Sequence, residues 1–286
     1  MTTKTWLITG ASSGLGRALA EYVLAQGDRA VITASSLDAN TELASKYPDT
    51  GLALRLDVTD PQQRADGVAQ AEAHFGGIDI LVNNAAIDFI GTLEEQEEKD
   101  IRAQFEVNFF GAVALTRLVL PGMRKRHTGT IVNVTSMDGQ SSLAGNGYYS
   151  ASKFALEGFT ESLWQEIEPL GLQAMVIEPG SFRTGIEKRT KISGTAIEDY
   201  TGTAGACSGR QKSPLTCSRA TPTRPRRSSM TSQGLNRSAT GSCWGAMHSG
   251  ESPPSSTSCG SNSTPARNSQ RARISPIALT SPSSRT

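Results

Sequence analysis

The sequence predicts an α/β fold with a doubly wound parallel sheet over residues 1–200. Three observations support this fold class. Short apolar runs of strand length alternate with segments of helical periodicity, a glycine-rich turn joins the first run to the first helical segment, and small polar motifs follow the later runs. Strands that alternate with helices at this spacing are joined by right-handed crossovers, which make the strands parallel.

Six strands are predicted, each from one apolar run. They are Thr5–Ile8, Ala30–Ala34, Leu52–Leu56, Ile78–Val82, Thr130–Val134 and Leu172–Ile177. The helical segments between them span about 17–24, 40–47, 61–75, 94–126 and 149–168. Pro61 suits a first helical turn, and Pro169 with Gly171 ends the last helix. Ligands of such sheets bind beyond the carboxyl ends of the strands, so we expect the functional site there.

The first strand leads into a glycine-rich turn, Thr9–Gly16, which opens the first helix. Glycines let the backbone approach a ligand closely, and a helix N-terminus presents free N–H groups with a partial positive charge. The strand–turn–helix context therefore favours a phosphate-binding turn. The alternative interpretation is a tight turn with no ligand.

A second motif, Tyr149 with Lys153, lies on the last predicted helix. Residues four apart share a helix face, so the phenol and the ammonium point into the same space. A free tyrosine has a pKa of about 10, and a nearby cation lowers it. We therefore expect an acid/base pair in which Lys153 lowers the pKa of Tyr149. Most isolated pairs with this spacing are solvated helix surface, so the assignment depends on the other motifs.

Taken together, residues 1 to about 195 resemble the short-chain dehydrogenase/reductase family. The motifs that carry the resemblance are Thr9–Gly16, Asp57-Val58, Asn83–Ala85, Asn108, Ser136, Tyr149 with Lys153, and Pro179-Gly180 with Thr184. The resemblance implies a Rossmann-type fold, a nicotinamide cofactor, and hydride transfer to or from a small carbonyl or alcohol substrate. It also implies a homodimer or homotetramer. One departure is Ala86, where the family commonly has glycine.

The resemblance also implies a set of site residues. The cofactor-binding residues would be Gly10, Ser12, Ser13, Gly14, Leu15, Gly16, Ser35, Asp57, Val58, Asn84, Ala85, Ala86, Tyr149, Lys153, Pro179, Gly180 and Thr184. The catalytic residues would be Asn108, Ser136, Tyr149 and Lys153. In these roles Tyr149 exchanges a proton with the substrate and Ser136 binds the substrate oxygen. Lys153 binds the nicotinamide ribose, and Asn108 supports a proton-relay water.

The end of the second strand bears on cofactor preference. Relatives that prefer NAD place an acid there for the ribose 2′-hydroxyl, and those that prefer NADP often place an arginine just after it. Here the two positions hold Ala34 and Ser35. No carboxylate repels a 2′-phosphate, Ser35 or Ser36 can donate a hydrogen bond to it, and Arg17 is a candidate cation. We therefore favour NADP(H) over NAD(H).

Residues 201–286 differ in composition from the rest of the chain. Residues 1–200 hold 26 of the 27 acidic and 17 of the 28 basic residues, whereas the tail holds Glu251 and the other basic residues. The tail has no Phe or Tyr and is rich in Ser, Thr, Pro and Arg, so we expect it to be mostly disordered. The family's usual last strand is missing from it. It is either a genuine basic tail or the product of a reading-frame shift near residue 200.

We therefore expect a cytoplasmic NAD(P)-dependent oxidoreductase. The alternative is a nucleotide-binding protein with impaired or no turnover, because the part that normally encloses the substrate is missing. Nucleic-acid binding is disfavoured, since the basic tail carries no aromatic set for base stacking. The four cysteines, all in the tail, lack metal-ligand spacing, so no metal is expected. No apolar run approaches the roughly 20 residues needed to cross a membrane.

Overall fold

The computed structural model describes residues 3–180 and 190–204. The strands within these ranges are β1 Thr5–Ile8, β2 Arg29–Ala34, β3 Gly51–Arg55, β4 Ile80–Asn83, β5 Phe89–Ile90, β6 Thr130–Val134, β7 Gln173–Ile177 and β8 Lys191–Ile192. Six of them form the main parallel sheet, in the order β3-β2-β1-β4-β6-β7. This doubly wound, Rossmann-type order confirms the predicted fold class. The expectations for residues 205–286 lie outside the described residues.

Both faces of the main sheet are buried, which explains its apolar runs. Leu7 and Ile8, adjacent on β1 and fully buried, belong to two different core clusters. A parallel strand covered on both faces reads as a continuous apolar run rather than an alternating one. Such runs gave the bounds of β1 and β6 directly, and the other four predicted strands of the main sheet shift by one or two residues at one or both ends.

Six α-helices surround the sheet in the part of the chain described. They are α1 Gly14–Ala25, α2 Asp38–Ser45, α3 Pro61–Phe75, α4 Glu98–Phe105, α5 Gly111–Arg126 and α6 Gly147–Ile167. Helix α3 shows why local signals predicted its bounds: the Asp60 carboxylate accepts hydrogen bonds from the backbone N–H groups of Gln62 and Gln63, and Gly76 ends the helix with a φ of 82°. A π-helical turn, Glu106–Phe110, joins α4 to α5.

The stretch from α4 to α5, Glu98–Arg126, is the one described helix that is long and apolar enough to cross a membrane. From the sequence we expected no run of that length, and we expected this helix to begin near residue 94. Core helices of soluble proteins pass the same test of length and composition. Here Leu115, Val119 and Met123 pack in one of the two core clusters. The finding is therefore weak evidence for a membrane span.

A second, two-stranded sheet lies apart from the main one. In it β5 pairs in parallel with β8, with Phe89 opposite Lys191 and Ile90 opposite Ile192. The sequence did not predict it, because two residues carry no periodicity. Beyond β8 the Ser193 hydroxyl donates a 2.6 Å hydrogen bond to the Asp100 carboxylate. This pairing brings residues 190–193 against the segment that follows β4.

Candidate active site

The carboxyl ends of the main-sheet strands open onto a cleft of about 570 Å³. The predicted residues that line it are Gly10, Ser12, Ser13, Leu15, Ser35, Asp57, Val58, Asn84, Ala85, Ala86, Ser136, Tyr149, Lys153, Pro179 and Gly180. Three other predicted residues, Gly14, Gly16 and Asn108, are close to this lining without belonging to it. Thr184 lies outside the described residues. The structure thus brings most of the predicted set together, at the sheet edge where ligands were expected.

The three motif glycines serve the turn in two different ways. Gly10 and Gly14 have φ angles of 65° and 60°, a region that side chains disfavour. A Cβ atom on Gly10 would also lie 2.8 Å from the Cα atom of Ala85. Gly16 is required by packing instead, because a Cβ atom there would lie 2.4 Å from the side-chain nitrogen of Asn84. The turn can therefore lie directly against the segment after β4.

Thr9 holds the glycine-rich turn against the segment after β4 by hydrogen bonds. Its hydroxyl donates to the carbonyl of Val82 (3.2 Å) and accepts from the backbone N–H groups of Asn84 (2.9 Å) and Ala85 (3.0 Å). The Asn84 amide donates in return to the carbonyls of Thr9 (2.8 Å) and Gly10 (3.2 Å). Thr9 was quoted in the sequence motif without a role. In the structure, the Thr9 hydroxyl links the carboxyl ends of β1 and β4 through these hydrogen bonds.

The N-terminus of α1 meets the cleft with uncapped backbone amides. Ser13 is the N-cap residue, but its side chain makes no capping hydrogen bond, and the first turn contains no acidic residue. Ser12 and Ser13 both line the cleft. Free N–H groups and the helix dipole together attract an anion. These features fit the pyrophosphate of a dinucleotide.

The part of the cleft beyond β2 and β3 is polar but carries one fixed carboxylate. Asp57 Oδ1 accepts hydrogen bonds from the backbone N–H (2.9 Å) and the hydroxyl (2.8 Å) of Thr59, so its orientation is set. Ser35 lines the cleft where an acid or an arginine was considered. Arg17 reaches across from α1 and donates to the carbonyl of Ala39, in the helix that follows Ser35. A cation therefore lies near the end of β2 although none follows it in sequence.

Tyr149, Ser136 and Lys153 meet in the same cleft. Tyr149 and Ser136 both line this cleft, and the Ser136 hydroxyl accepts a hydrogen bond from the backbone N–H of Asp138 (3.1 Å). Lys153 is 2% exposed. Its Nζ donates to the carbonyl of Val134 (2.9 Å) and lies 5.7 Å from the centroid of the Tyr149 ring. The helix spacing and the strand end thus place three polar groups together as expected.

The pKa of Tyr149 shifts in the direction opposite to our expectation. It is raised to about 12, first by burial and then by the negative charge of Asp88, while the nearby Ser136 side chain opposes the rise. Burial also lowers the pKa of Lys153 to about 8. The predicted lowering of the Tyr149 pKa is therefore wrong for this structure, because burial and the charge of Asp88 raise it. The phenol is neutral at pH 7.

Asn108 lies in the π-helical turn and is 1% exposed. Its Oδ1 accepts from the backbone N–H of Ile87 and its Nδ2 donates to the carbonyl of the same residue, both at 2.9 Å. Nδ2 also donates to the Ser152 hydroxyl (3.1 Å). The amide therefore holds the backbone just before Asp88. Its implied role beside a proton-relay water stays a prediction.

Residues 4–193 match the family model for the short chain dehydrogenases. The chain belongs to this family. Two curated relatives are each 36% identical to it: oxidoreductase BOA17 of Botryotinia fuckeliana, over 205 residues (71% of this chain, 75% of the relative), and 3-ketodihydrosphingosine reductase of Bacteroides thetaiotaomicron, over 187 residues (65% and 67%).

Two solved structures agree with this membership. A short-chain dehydrogenase from Streptomyces avermitilis is 40% identical, with a TM-score of 0.69, and the alignment covers 74% of this chain and 79% of that one. The 3-ketoacyl-(acyl-carrier-protein) reductase of Brucella melitensis, solved with NADH, is 26% identical, with a TM-score of 0.63 and coverages of 65% and 79%. The family resemblance read from the motifs is confirmed.

Two carboxylates in the cleft of this short-chain dehydrogenase were not among the predicted residues. Asp88 Oδ2 accepts from the hydroxyl of Thr190 (3.0 Å), and Asp138 Oδ2 accepts from the side-chain amide of Asn146 (2.8 Å). Burial raises the pKa of both carboxyls. Asp138 had a sequence signal, its position two residues after Ser136. Asp88 had none, because Thr190 is 102 residues away in the chain.

Proposed function

We propose that this short-chain dehydrogenase is an NAD(P)-dependent oxidoreductase that transfers a hydride between a nicotinamide cofactor and a ketone or secondary alcohol. The observation that carries the proposal is the meeting of Tyr149, Ser136 and Lys153 in one cleft with an uncapped helix N-terminus. The nicotinamide, when bound, supplies or accepts the hydride. Binding, orientation and proton transfer are the work of the protein.

The cleft offers a place for each part of a dinucleotide. The residues proposed to hold it are Gly10, Ser12, Ser13, Leu15, Ser35, Asp57, Val58, Asn84, Ala85, Ala86, Lys153, Pro179 and Gly180. The turn and the α1 amides would bind the pyrophosphate, the residues after β3 would contact the adenine, and those after β7 would hold the nicotinamide end. Thr184 is assigned to that end by the family motif alone.

Tyr149 is the proposed acid of carbonyl reduction. Because its pKa is about 12, the phenol is protonated at neutral pH and can donate a hydrogen bond to the carbonyl oxygen. Ser136 offers that oxygen a second hydroxyl donor. Negative charge develops on the oxygen as the hydride reaches the carbon, and both donors stabilise it. Tyr149 then passes its proton to the oxygen, which leaves an alcohol and a phenolate.

Lys153 stabilises that phenolate. Its ammonium, 5.7 Å from the ring centroid, is an unlike charge in a buried environment where attraction is strong. A proton from solvent then restores the phenol. Alcohol oxidation runs the same steps in reverse and must begin by deprotonating a phenol of raised pKa.

The test is turnover of a panel of ketones and aldehydes with NADPH and with NADH, for the wild type and for Tyr149→Phe. We expect Tyr149→Phe to lower kcat by about 10²–10⁴-fold, because the proton donor is lost. The dissociation constant for NADPH should stay within about threefold, since a buried ring is kept. Unchanged turnover in the variant would overturn the proposed mechanism. Cofactor binding by the wild type without any turnover would favour the alternative, an impaired or non-enzymatic nucleotide-binding protein.

NADP(H) is the proposed preference. Its support is the lack of a carboxylate at Ala34 and Ser35 and the position of Arg17, whose guanidinium reaches the carbonyl of Ala39 just beyond them. A 2′-phosphate there would lie near the Arg17 guanidinium, which also pairs with Glu21 at 2.6 Å. The same binding measurements test this preference: tighter binding of NADH than of NADPH would contradict it.

A homo-oligomer is also proposed, as the family resemblance implies. Its support is a set of exposed apolar side chains: Phe110 at the end of the π-helical turn is 50% exposed, Leu118 on α5 is 38% exposed and Phe154 on α6 is 46% exposed. Large apolar side chains exposed together are typical of protein interfaces. Light scattering on the purified chain gives the subunit number, and a monomer would contradict the proposal. A cytoplasmic location stays a proposal from the sequence.

A further inference from the structure

Four buried polar side chains form a hydrogen-bonded network in the core. They are Asn83 on β4, Thr116 on α5, Asn133 on β6 and Thr160 on α6, each 4% exposed or less. The side-chain amide of Asn83 donates to Asn133 Oδ1 (2.8 Å) and to the Thr116 hydroxyl (3.2 Å). The side-chain amide of Asn133 donates in turn to the Thr160 hydroxyl (2.8 Å). The network therefore connects two neighbouring strands of the main sheet to the helix that carries Tyr149.

Asn133 is a polar residue at an apolar place. Ile131, two residues earlier on the same face of β6, belongs to the same core cluster as Leu163 of α6. A buried amide costs free energy unless it is hydrogen-bonded, and replacing both partners of a buried hydrogen bond by apolar groups of the same shape can be nearly neutral. Burial alone therefore does not explain the pair of Asn133 and Thr160. What the hydrogen bond adds is direction, because it fixes where α6 lies on the sheet.

The network reaches the active site through the next residue of β6. The carbonyl of Val134 accepts the hydrogen bond from Lys153 Nζ (2.9 Å). Lys153 and Thr160 are seven residues apart on α6, which is nearly two helical turns or about 10 Å. Two consecutive residues of one strand thus hold α6 at two points along its axis. A helix held at two points can neither slide along the strand nor pivot about one contact.

We propose that Asn133 and Thr160 are positioning residues whose hydrogen bond sets the place of the Tyr149 phenol relative to the Ser136 hydroxyl. Tyr149 is carried by α6, and Ser136 follows the end of β6, so the register of the helix on the strand fixes their separation. This inference rests on the proposed function, in which both hydroxyls bind one carbonyl oxygen. Asn133 and Thr160 do not line the cleft and act through the residues that do. A misplacement of about 1 Å at a reacting centre can cost about 10²-fold in rate.

The experiment removes one hydroxyl and keeps the shape of the side chain. Thr160→Val deletes the acceptor of the Asn133 amide, whereas Thr160→Ser retains it. Thr116→Val is the matched control, because it makes the same change in the same network on α5, which carries none of the proposed catalytic residues. For each variant, kcat and KM for ketone reduction, the dissociation constant for NADPH and the free energy of unfolding in urea are measured.

We expect Thr160→Val to lower kcat by about tenfold or more, while KM for the ketone and the dissociation constant for NADPH change by less than about threefold. Thr160→Ser and Thr116→Val should both keep kcat within about threefold of the wild type. An unchanged kcat in Thr160→Val would overturn the inference. So would an equal loss of kcat in Thr116→Val, which indicates general destabilisation, or a serine variant as slow as the valine variant. If Thr160→Val does not fold, Thr160→Ala replaces it, since alanine and serine differ by the same oxygen.

A titration that needs no turnover separates this inference from the proposed function. If no ketone is turned over, the proposed function has failed, and NMR titration of the lysine side chains then decides the positioning role. The Lys153 signal is identified by its absence from Lys153→Met. We expect the pKa of Lys153 to rise from about 8 toward 10.5 in Thr160→Val, because a released helix lets water reach the ammonium, and to stay at about 8 in Thr116→Val. A Lys153 pKa that is the same in the wild type and Thr160→Val would overturn the inference.

Discussion

Replacement of Lys153 by methionine should make the protein more stable and inactive. Lys153 is 2% exposed, and burial lowers its pKa from 10.5 to about 8. The folded state therefore disfavours the ammonium, although the lysine is protonated at pH 7. Methionine fills a similar volume without a charge to bury. The proposed catalytic ammonium is thus held at a cost in stability, as is common for functional groups.

The magnitude follows from the pKa shift. A shift from 10.5 to about 8 corresponds to about 3 kcal/mol by which the folded state disfavours the charged form. The variant also loses the hydrogen bond to the carbonyl of Val134, and this loss cancels about 1 kcal/mol of the stability gained by removing the buried charge. Lys153→Met should therefore raise the free energy of unfolding at pH 7 by about 2 kcal/mol. For a domain of this size the melting temperature should rise by about 4–8 °C.

The pH dependence supplies the sharper assay. Because the pKa of Lys153 is lower in the folded state, the unfolded state binds more protons between pH 8 and 10.5, and wild-type stability rises across that window. The raised pKa of Tyr149 acts oppositely, since its stabilisation is lost only above pH 10. Urea denaturation at pH 7 and pH 9.5 should show the gap between variant and wild type shrinking by about 2 kcal/mol.

Lys125→Met, a change at an exposed lysine of α5, serves as the control and should leave stability nearly unchanged at both pH values. If Lys153→Met is less stable than the wild type at pH 7, burial of the Lys153 ammonium costs less free energy than we infer. A gap that stays constant between pH 7 and 9.5 would show that Lys153 does not titrate in this window. Either result would refute the reasoning.

Two further substitutions test the parts that support the cleft. Asn108→Ala removes both hydrogen bonds to the Ile87 backbone, so we expect the free energy of unfolding in urea to fall by about 2–3 kcal/mol. We also expect a lower kcat, whereas the dissociation constant for NADPH should change by less than about threefold. An unchanged kcat would contradict the positioning role. Gly16→Ala places a Cβ atom 2.4 Å from the side-chain nitrogen of Asn84, which the turn cannot accommodate without moving. We expect NADPH binding, measured by fluorescence, to weaken by about tenfold or more, although alanine has the better helix propensity. Unaltered binding would show that the turn yields to the methyl group.

The sequence predicted those parts of the fold whose signals are local. Buried parallel strands produce apolar runs, so Thr5–Ile8 and Thr130–Val134 were found at their bounds. Pro61 with its acidic N-cap marked the start of α3. The pair Tyr149 and Lys153 was predictable because one helix turn separates the two residues, whatever surrounds them.

The rest depends on contacts between distant segments. The pKa of Tyr149 was predicted in the wrong direction because burial, which dominates it, is a property of the folded chain. Asn108 was recognised, but its partner Ile87 was not, since 21 residues separate them. Asp88 was missed for the same reason, because its polar partner Thr190 comes from far along the chain.

The small β5–β8 sheet sets an order for the assembly of the site during synthesis. The strands β1 to β4 and the phosphate turn all lie before residue 84, and they pair through short crossovers. Asp88 meets Thr190 across 102 residues, and closing a loop of that length costs roughly 4 kcal/mol of chain entropy. The half of the cleft that fits adenosine and pyrophosphate can therefore form while residue 190 is still inside the ribosome. The growing chain would gain its nucleotide site well before Thr190 can reach Asp88 at the other end of the cleft.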